Sequence, residues 1–165
     1  MFSNINNVNI LTKVLASHGV RRIVVCPGSR NAPMVHNFNE MEHITCYPVT
    51  DERSAKLPVI VISADRPEAW IGHQDGQPLP QANVFGTMVN KSVNLPIVTS
   101  EEQAWYCERL VNEAIYDCMY RKVGPVHINI QIPEPLYQFT VAELPKVNSV
   151  THVQSNEFKS NAALM

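Results

Sequence analysis

The stretch RRIVVCPGSRNAPMVHNFN, which is residues 21–39, contains the pattern that decides the fold. Its β-branched run at 23–26 is typical of a strand that is buried on both faces of a parallel sheet. Residues 27–30 break this run, and Pro33 suits the first turn of a helix, which we expect to extend from residue 32 to about residue 39. The order strand, loop, helix is the repeating unit of α/β folds.

The same alternation continues on both sides of this unit. Toward the N-terminus, the Asn-rich residues 3–7 are expected to cap a helix that ends at Gly19, because apolar residues recur between them at helical spacing. Toward the C-terminus, a helix with one apolar face is expected to begin at Ser100. Further strands are predicted at 44–50, 57–63, 93–95 and in the alternating run 126–132. The sequence therefore predicts an α/β fold with a mainly parallel sheet flanked by helices.

One connection is too short for that fold. Only about eight residues separate Val49 from Pro58, whereas a crossover between adjacent parallel strands needs a dozen or more residues and usually contains a helix. Either these two strands are antiparallel, or residues are missing between Ala55 and Lys56. The residue pattern alone leaves both alternatives open.

Length and composition fit one globular domain with a short tail. The 165 residues are 45% hydrophobic and 17% charged, which is enough apolar side chain for a packed core and too little charge for a disordered tether. We place the domain at 1–145 and interpret the polar, aperiodic residues 146–165 as a linker or the stub of a further domain. A net charge of −2 gives no basic field for nucleic acid. Because neither a leader peptide nor a membrane span is evident, we expect a cytoplasmic protein.

The cysteines and histidines lack the spacing of a metal site. The four cysteines, at positions 26, 46, 107 and 118, lie in apolar stretches without a C-x-x-C motif, which favours buried reduced thiols over disulfides. The six histidines lie on different predicted elements. We therefore expect no metal ligands from this chain.

Polar clusters that contain arginine follow three successive predicted strands, at 26–30, 50–54 and 63–67. Each has an ordinary alternative, namely a tight capped turn, a surface charge cluster and a local ion pair, respectively. Because the carboxyl ends of parallel strands meet at one edge of a sheet, the three loops are expected to form a pocket selective for carboxylates. The pattern favours a small polyanionic substrate, and the glycine-punctuated loop 72–77 is a further candidate to line this pocket.

Seven segments of the chain point to a known family: HGV at 18–20, CPGSRNAP at 26–33, TDERSA at 50–55, ISADRP at 62–67, the loop 74–85, GPVHIN at 124–129 and EPLY at 134–137. Together they resemble the N-terminal, pyrimidine-binding domain of a family of thiamine-diphosphate enzymes. These are the 2-succinyl-5-enolpyruvyl-6-hydroxy-3-cyclohexene-1-carboxylate synthases of menaquinone biosynthesis. The resemblance runs from about residue 8 to residue 137, and PGSR and DERS are its most specific segments.

The resemblance implies a transferase that uses thiamine diphosphate with Mg²⁺ or Mn²⁺. Such an enzyme decarboxylates 2-oxoglutarate and adds the remaining four-carbon unit to isochorismate. The resemblance also implies that Glu52 is the catalytic carboxyl group, because the matching glutamate of the family hydrogen-bonds the aminopyrimidine ring of the cofactor.

The remaining site residues follow from the same resemblance. Pro27 and Gly28 are expected to contact the cofactor together with Glu52. Isochorismate carries two carboxylates, and the residues expected to bind it are Ser29, Arg30, Arg66 and Gln77. Isochorismate and 2-oxoglutarate would then be the small-molecule partners, and the complete enzyme would be a homodimer or a homotetramer.

The sequence departs from the family pattern in two ways. Family members continue after DERSA through a helix, a strand and another helix, so a segment of roughly thirty residues or more is expected to be missing after Ala55. The G-D-G…N motif that binds the diphosphate and the metal is also absent, so the metal site is expected in a missing C-terminal domain and this fragment alone is expected to be inactive. Two alternatives are a different thiamine-diphosphate lyase of the acetolactate-synthase type and a non-catalytic dimerisation domain. Arg30 and Arg66 disfavour the lyase, because pyruvate offers only one carboxylate.

Overall fold

The computed structural model describes residues 1–26, 28–48, 59–70, 80–121 and 123–150 of the chain. Within these residues, helices and strands alternate along most of the chain. Their bounds, in chain order, are α1 (Asn6–Ser17), β1 (Arg22–Val25), α2 (Ala32–Asn39), β2 (Thr45–Pro48), β3 (Ile60–Asp65), β4 (Lys91–Leu95), α3 (Glu101–Tyr116) and β5 (Val126–Gln131). Every predicted helix and strand is present, and within the described residues the bounds differ from the predicted ones by at most three residues.

The first helix ends as predicted but begins differently. Gly19 has φ +79°, the left-handed conformation that suits the position just after a helix. The expected cap from residues 3–7 is wrong, because the N-cap is Ile5 and no side chain caps the helix there. Asn7 is instead buried, and its Nδ2 donates to the carbonyl oxygens of Pro96 and Gln131 at 2.9 and 2.7 Å. The asparagine joins α1 to the ends of two strands.

The other two helices begin where local chemistry predicts. Helix α2 has Pro33 in its first turn, where the missing N–H costs no hydrogen bond. Helix α3 begins with a capping box, in which the Gln103 N–H donates to Ser100 Oγ at 3.2 Å and the Ser100 N–H donates to Gln103 Oε1 at 3.1 Å. At its other end α3 continues into a π-helical turn, Asp117–Arg121.

The strands form two parallel sheets rather than one. Strands β1 and β2 pair with each other, with Arg22 opposite Thr45. The second sheet has the order β3-β5-β4, with Ile60 and Lys91 both opposite Val126. The prediction of a parallel α/β fold flanked by helices is confirmed. Among the described residues β2 and β3 do not pair with each other, so the antiparallel alternative for these strands has no support.

One apolar core lies on one face of the three-stranded sheet. The helices α1 and α3 pack against each other, and α3 covers β4 and β5. The side chains that this packing removes completely from water include Val8, Leu11, Val14, Leu95, Val111, Val126, Ile128 and Ile130. Burying an aliphatic side chain of this size contributes about 1.5–3 kcal/mol, so this core is the main source of stability in the described fold.

The four cysteines are not paired as disulfides, and they are not all buried. Cys107 and Cys118 lie in the core, whereas Cys46 is half-buried and Cys26 is exposed. Burial, with a smaller contribution from the carboxylate of Glu108, raises the pKa of the Cys107 thiol to about 12. The prediction of burial is therefore wrong for Cys26, which lies at the carboxyl end of β1 beside the candidate site.

Residues 146–150 contain no helix or strand but contact α3. The Asn112 side chain donates to the carbonyl oxygen of Asn148 at 2.9 Å and accepts from the N–H of Val150 at 2.9 Å. The described part of the tail is thus attached to the domain surface. A boundary between 1–145 and 146–165 stays a prediction.

Candidate functional site

The loop that follows β1 is held in shape by Asn31. Its Nδ2 donates to the carbonyl oxygen of Cys26 at 2.8 Å, and its Oδ1 accepts from the N–H of Gly28 at 3.2 Å. These two bonds close the turn just before α2, and they leave Gly28 and Ser29 exposed at the carboxyl end of the strand. A strand end that meets a helix start is the usual ligand position in α/β sheets.

Arg30, the next residue of this loop, reaches across to the end of β5. Its Nη1 donates to the carbonyl oxygen of Ile132 at 3.1 Å and lies 3.0 Å from Glu134 Oε1. The Arg30 side chain is 20% exposed and that of Glu134 is 46% exposed. The arginine predicted to bind an anion is therefore close to the surface and already has an internal carboxylate partner.

Arg66 follows β3 at the same edge of the fold. The preceding residue, Asp65, accepts the N–H of Ile132 on its carbonyl oxygen at 2.9 Å, so the ends of β3 and β5 are adjacent. Ile132 also accepts the hydrogen bond from Arg30. Through this one residue, the loops after β1, β3 and β5 meet. The structure therefore brings together two of the three arginine loops at the edge where the sequence analysis placed them.

The other predicted site residues divide into two groups. Gly28 and Ser29 lie in the loop after β1, and Arg66 is half-buried after β3. Pro27, Glu52 and Gln77, together with the cluster 50–54 and the loop 72–77, lie outside the described residues. Of the seven predicted site residues, four can thus be placed at the edge.

A buried polar network lies directly behind this edge, on the second face of the three-stranded sheet. The Asp65 carboxylate accepts from Asn129 Nδ2 at 3.0 Å, and the same amide group donates to Asn94 Oδ1 at 2.9 Å. Asn129 Oδ1 must then be the acceptor for the Ser63 hydroxyl, at 2.7 Å. Both carboxylate oxygens of Asp65 accept, Oδ1 from the Arg66 N–H at 2.8 Å and Oδ2 from Asn129 Nδ2, and this fixes the orientation of the Asn129 amide.

The same network fixes the proton position on His127. The only proton of the Ser63 hydroxyl is used by Asn129, so Ser63 Oγ must accept from His127 Nε2 at 2.7 Å. His127 Nδ1 is then an acceptor for the Ser92 hydroxyl at 2.9 Å. The ring is fully buried, and Phe85 lies edge-on to it at 4.9 Å between ring centroids. Burial lowers the pKa of His127, which keeps the imidazole neutral.

Sequence reasoning missed three features of this site. The side chain of Asn31 gave no signal beyond its place in a polar turn, and the partnership of Arg30 with Glu134 joins residues that are far apart in the chain. The polar network did have a signal, which is the alternation of His127 and Asn129 with isoleucines in β5. That alternation predicted two unlike faces, and the structure shows that both faces are buried.

The chain was compared with known proteins. No protein-family model matches it. It is 46% identical over 192 aligned positions to the 2-succinyl-5-enolpyruvyl-6-hydroxy-3-cyclohexene-1-carboxylate synthase of Phocaeicola vulgatus, in a match that covers 93% of this chain and 34% of the relative. The synthases of the same name from Bacteroides thetaiotaomicron and Flavobacterium johnsoniae are 44% and 32% identical, over 93% and 87% of this chain and 35% and 32% of their own lengths. Along 93% of its own length, the chain is similar to synthases of this family. It spans about a third of the length of the relatives that it matches.

The lengths of these matches show that the relatives have positions with no counterpart in this chain. The match to the Phocaeicola vulgatus synthase has 192 positions but includes only 93% of 165 residues, which is about 153 residues. About 39 positions of the relative therefore have no counterpart here. The match to the Flavobacterium johnsoniae synthase, with 182 positions and 87% of this chain, leaves about 38. This number of positions agrees with the prediction that roughly thirty residues or more are missing.

Two kinds of site are not found in the described ranges. No helix there is long and apolar enough to cross a membrane. No group of three or more His, Cys, Asp and Glu side chains there is placed to hold a metal ion. At the strand edge the described residues include the guanidinium groups of Arg30 and Arg66, a group that can bind carboxylates.

Proposed function

We propose that this chain is the pyrimidine-binding part of a thiamine-diphosphate-dependent synthase of menaquinone biosynthesis. The complete enzyme would decarboxylate 2-oxoglutarate and transfer the remaining four-carbon unit to isochorismate. The observation that carries the proposal is the identity of 42–46% to synthases named for this product, along 93% of the chain.

The strand-edge geometry agrees with a dicarboxylate acceptor. Arg30 and Arg66 lie in loops that meet at Ile132, and a guanidinium group binds a carboxylate through two parallel hydrogen bonds. Isochorismate would be held by these two side chains, with Ser29 and Gln77 adding polar contacts. A carboxylate of isochorismate would have to compete with Glu134 for Arg30. The Glu134 carboxylate keeps Arg30 in position when no substrate is bound.

The cofactor would be held jointly with residues outside the described part of the chain. Glu52 would hydrogen-bond the pyrimidine ring and hold a proton there, and Pro27 and Gly28 would line the ring. Thiamine diphosphate, when bound, supplies the carbanion chemistry that both the decarboxylation and the carbon–carbon bond need. The described residues fit the anionic acceptor through Arg30 and the exposed turn at Gly28, and they offer no metal cluster, so Mg²⁺ or Mn²⁺ would be bound elsewhere in the complete enzyme.

The assembly and the compartment belong to the same proposal. The chain spans about a third of the length of its relatives, so we expect a complete active site to need the other two thirds of the synthase. We expect the complete enzyme to be a cytoplasmic homodimer or homotetramer. The chain alone, given thiamine diphosphate and Mg²⁺, is expected to release no carbon dioxide from 2-oxoglutarate.

A chimaera tests the proposal with a measurable activity. In the Phocaeicola vulgatus synthase, the region that this chain matches would be replaced by this chain, with the unmatched 39 positions restored from the relative. We expect turnover of 2-oxoglutarate with isochorismate, and Glu52→Gln should lower kcat by at least about 100-fold, as the loss of a positioned acid–base group does. Arg30→Ala should raise KM for isochorismate with little change in KM for 2-oxoglutarate. Lys13→Ala is the matched control, because α1 carries this charge away from the site.

Three outcomes would contradict the proposal. An unchanged kcat in the Glu52→Gln variant would contradict the proposed catalytic role of Glu52. Equal KM values for isochorismate in the parent chimaera and in Arg30→Ala would contradict the assignment of Arg30 to a carboxylate pocket. Faster turnover of pyruvate than of 2-oxoglutarate would favour the acetolactate-synthase alternative.

A further inference from the structure

Buried polar side chains alternate along β5 on the second face of the three-stranded sheet. His127 and Asn129 are 0% and 1% exposed, and Asp65, at the end of β3 on the same face, is 6% exposed. Burying polar groups costs stability unless each one is hydrogen-bonded, and apolar side chains would fill the same space at lower cost. Stability alone therefore does not account for these residues.

The hydrogen bonds of this face converge on the segment that carries Arg66. Asn129 Nδ2 donates to Asp65 Oδ2 at 3.0 Å, and the other carboxylate oxygen, Oδ1, accepts from the N–H of Arg66 at 2.8 Å. Two residues after Arg66, the N–H of Glu68 donates to Gln131 Oε1 at 3.2 Å. Side chains of β5 therefore hold this segment on both sides of Arg66.

The main chain at Arg66 is restricted from a second direction. Arg66 precedes Pro67, which is buried, and the residue before a proline is confined mainly to extended conformations. Its N–H is bound to the Asp65 carboxylate at the same time. These two restraints fix the direction in which the arginine side chain leaves the main chain. A guanidinium group that is positioned in advance loses less conformational entropy when it binds a ligand.

The same strand end also holds the other arginine of the candidate site. Arg30 Nη1 donates to the carbonyl oxygen of Ile132, the residue directly after β5, at 3.1 Å. The N–H of Ile132 donates to the carbonyl oxygen of Asp65 at 2.9 Å. One strand thus contacts both arginine loops. A substrate with two carboxylates at a fixed separation needs two guanidinium groups at a matching separation.

We propose that Asn129 is a positioning residue for the acceptor substrate and that it acts through Asp65 on Arg66. The Asn129 amide orients the Asp65 carboxylate, the carboxylate holds the main chain of Arg66, and β5 sets the spacing between the guanidinium groups of Arg66 and Arg30. Gln131 supports the same segment from its other side. The inference rests on the proposed function, because it takes Arg66 to bind a carboxylate of isochorismate.

The first test compares two changes in the network, made in the chimaera with the Phocaeicola vulgatus synthase. Asn129→Leu removes the amide with little change in volume. It should raise KM for isochorismate at least about 10-fold, with less than about a 3-fold change in kcat or in KM for 2-oxoglutarate. Ser92→Ala is the matched control. Ser92 bonds to His127 at 2.9 Å from β4, which lies on the opposite side of β5 from Asp65. This variant should lower the urea midpoint but leave both KM values unchanged.

Exchanging the two partners tests the hydrogen bond itself. In Asp65→Asn/Asn129→Asp the donor moves to position 65. Position 65 keeps an acceptor for the Arg66 N–H, position 129 keeps an acceptor for the Ser63 hydroxyl, and the exposed Asn94 amide can turn to donate. The exchange variant should therefore restore KM for isochorismate to within about 3-fold of the parent.

A double variant tests whether Asn129 acts through Arg66. Arg66→Ala alone should raise KM for isochorismate, and adding Asn129→Leu should raise it no further, because residues that act through one contact are not additive. Gln131→Met leaves the buried network in place, so it answers the same question if Asn129→Leu does not fold. It should raise KM for isochorismate about 3-fold and speed amide hydrogen exchange at Glu68.

The outcomes separate this inference from the proposed function. If Arg66→Ala raises KM for isochorismate but Asn129→Leu and Gln131→Met do not, the positioning role is wrong and the proposed function stands. An equal rise in Ser92→Ala would also overturn the inference, because any loosening of the network would then have the same effect. An unchanged KM in Arg66→Ala would contradict the carboxylate pocket, and the inference would fall with it.

Discussion

Replacing His127 tests the buried network behind the candidate site through the pH dependence of stability. The ring is fully buried between the hydroxyls of Ser63 and Ser92, and burial lowers its pKa below the ordinary value. In the unfolded chain the same imidazole has a pKa of about 6.5. Below that pH the unfolded state binds a proton that the folded state does not, so the free energy of unfolding should fall as the pH falls.

The size of this effect follows from the same comparison. One unit of pKa difference corresponds to about 1.4 kcal/mol. As the pH falls from 6.5 to the lowered folded-state pKa of His127, the free energy of unfolding should therefore decrease by up to about 1.4 kcal/mol per pH unit. Above pH 6.5 the contribution of His127 to the free energy of unfolding is constant, because the imidazole is neutral in both the folded and the unfolded state. Below the folded-state pKa it is constant again, because both states are then protonated.

Urea unfolding between pH 5.5 and 7.5 measures this dependence. This window brackets the ordinary pKa of histidine in the unfolded chain, about 6.5. His127→Gln should be less stable than the parent at pH 7.5, because two hydroxyls lose a partner, but its curve should be flatter toward pH 5.5. His43→Gln is the control, since His43 is exposed, and it should keep the parent slope. Parallel curves for the parent and His127→Gln would refute the assignment of a neutral, buried imidazole.

Two further predictions concern the core and the arginine at the strand edge. Ile128→Ala should lower the free energy of unfolding by about 2–5 kcal/mol, because Ile128 is fully buried in the central strand of its sheet, and urea unfolding at pH 7.5 should show this. An effect below about 1 kcal/mol would mean that β5 is not central. Glu134→Gln should change stability by less than about 1 kcal/mol, because the pair with Arg30 is partly exposed, but it should lower KM for isochorismate in the chimaera. An unchanged KM would mean that Glu134 does not compete with the substrate.

The elements of this fold could be predicted wherever the decisive residues are close in sequence. The capping box at Ser100, the proline in the first turn of α2 and the left-handed Gly19 each act within a few residues. Their bounds were accordingly right to within three residues. The predicted cap at the start of α1 was wrong because the residues that decide it are far apart in the sequence. Asn7, which looked like a local cap, hydrogen-bonds instead to Pro96 and Gln131, which are 89 and 124 residues away at the ends of two strands.

The candidate site was predicted in its position but not in its contacts. That Arg30 and Arg66 lie at one edge follows from a rule about parallel strands, which needs only the order of elements. That Arg30 meets Ile132 and Glu134 depends on how the sheets are arranged in space. A single sequence gives the first kind of information and not the second, because a pair that is 104 residues apart leaves no periodic signal.

The connection between β2 and β3 was the exception, because a long-range feature left a local trace. A crossover has a minimum length, so a short connection between two strands of parallel type limits how they can be arranged before any coordinate is known. The eleven residues between β2 and β3 fall below that minimum, and the structure places these two strands in different sheets. Connection length is therefore long-range information that a single sequence does carry.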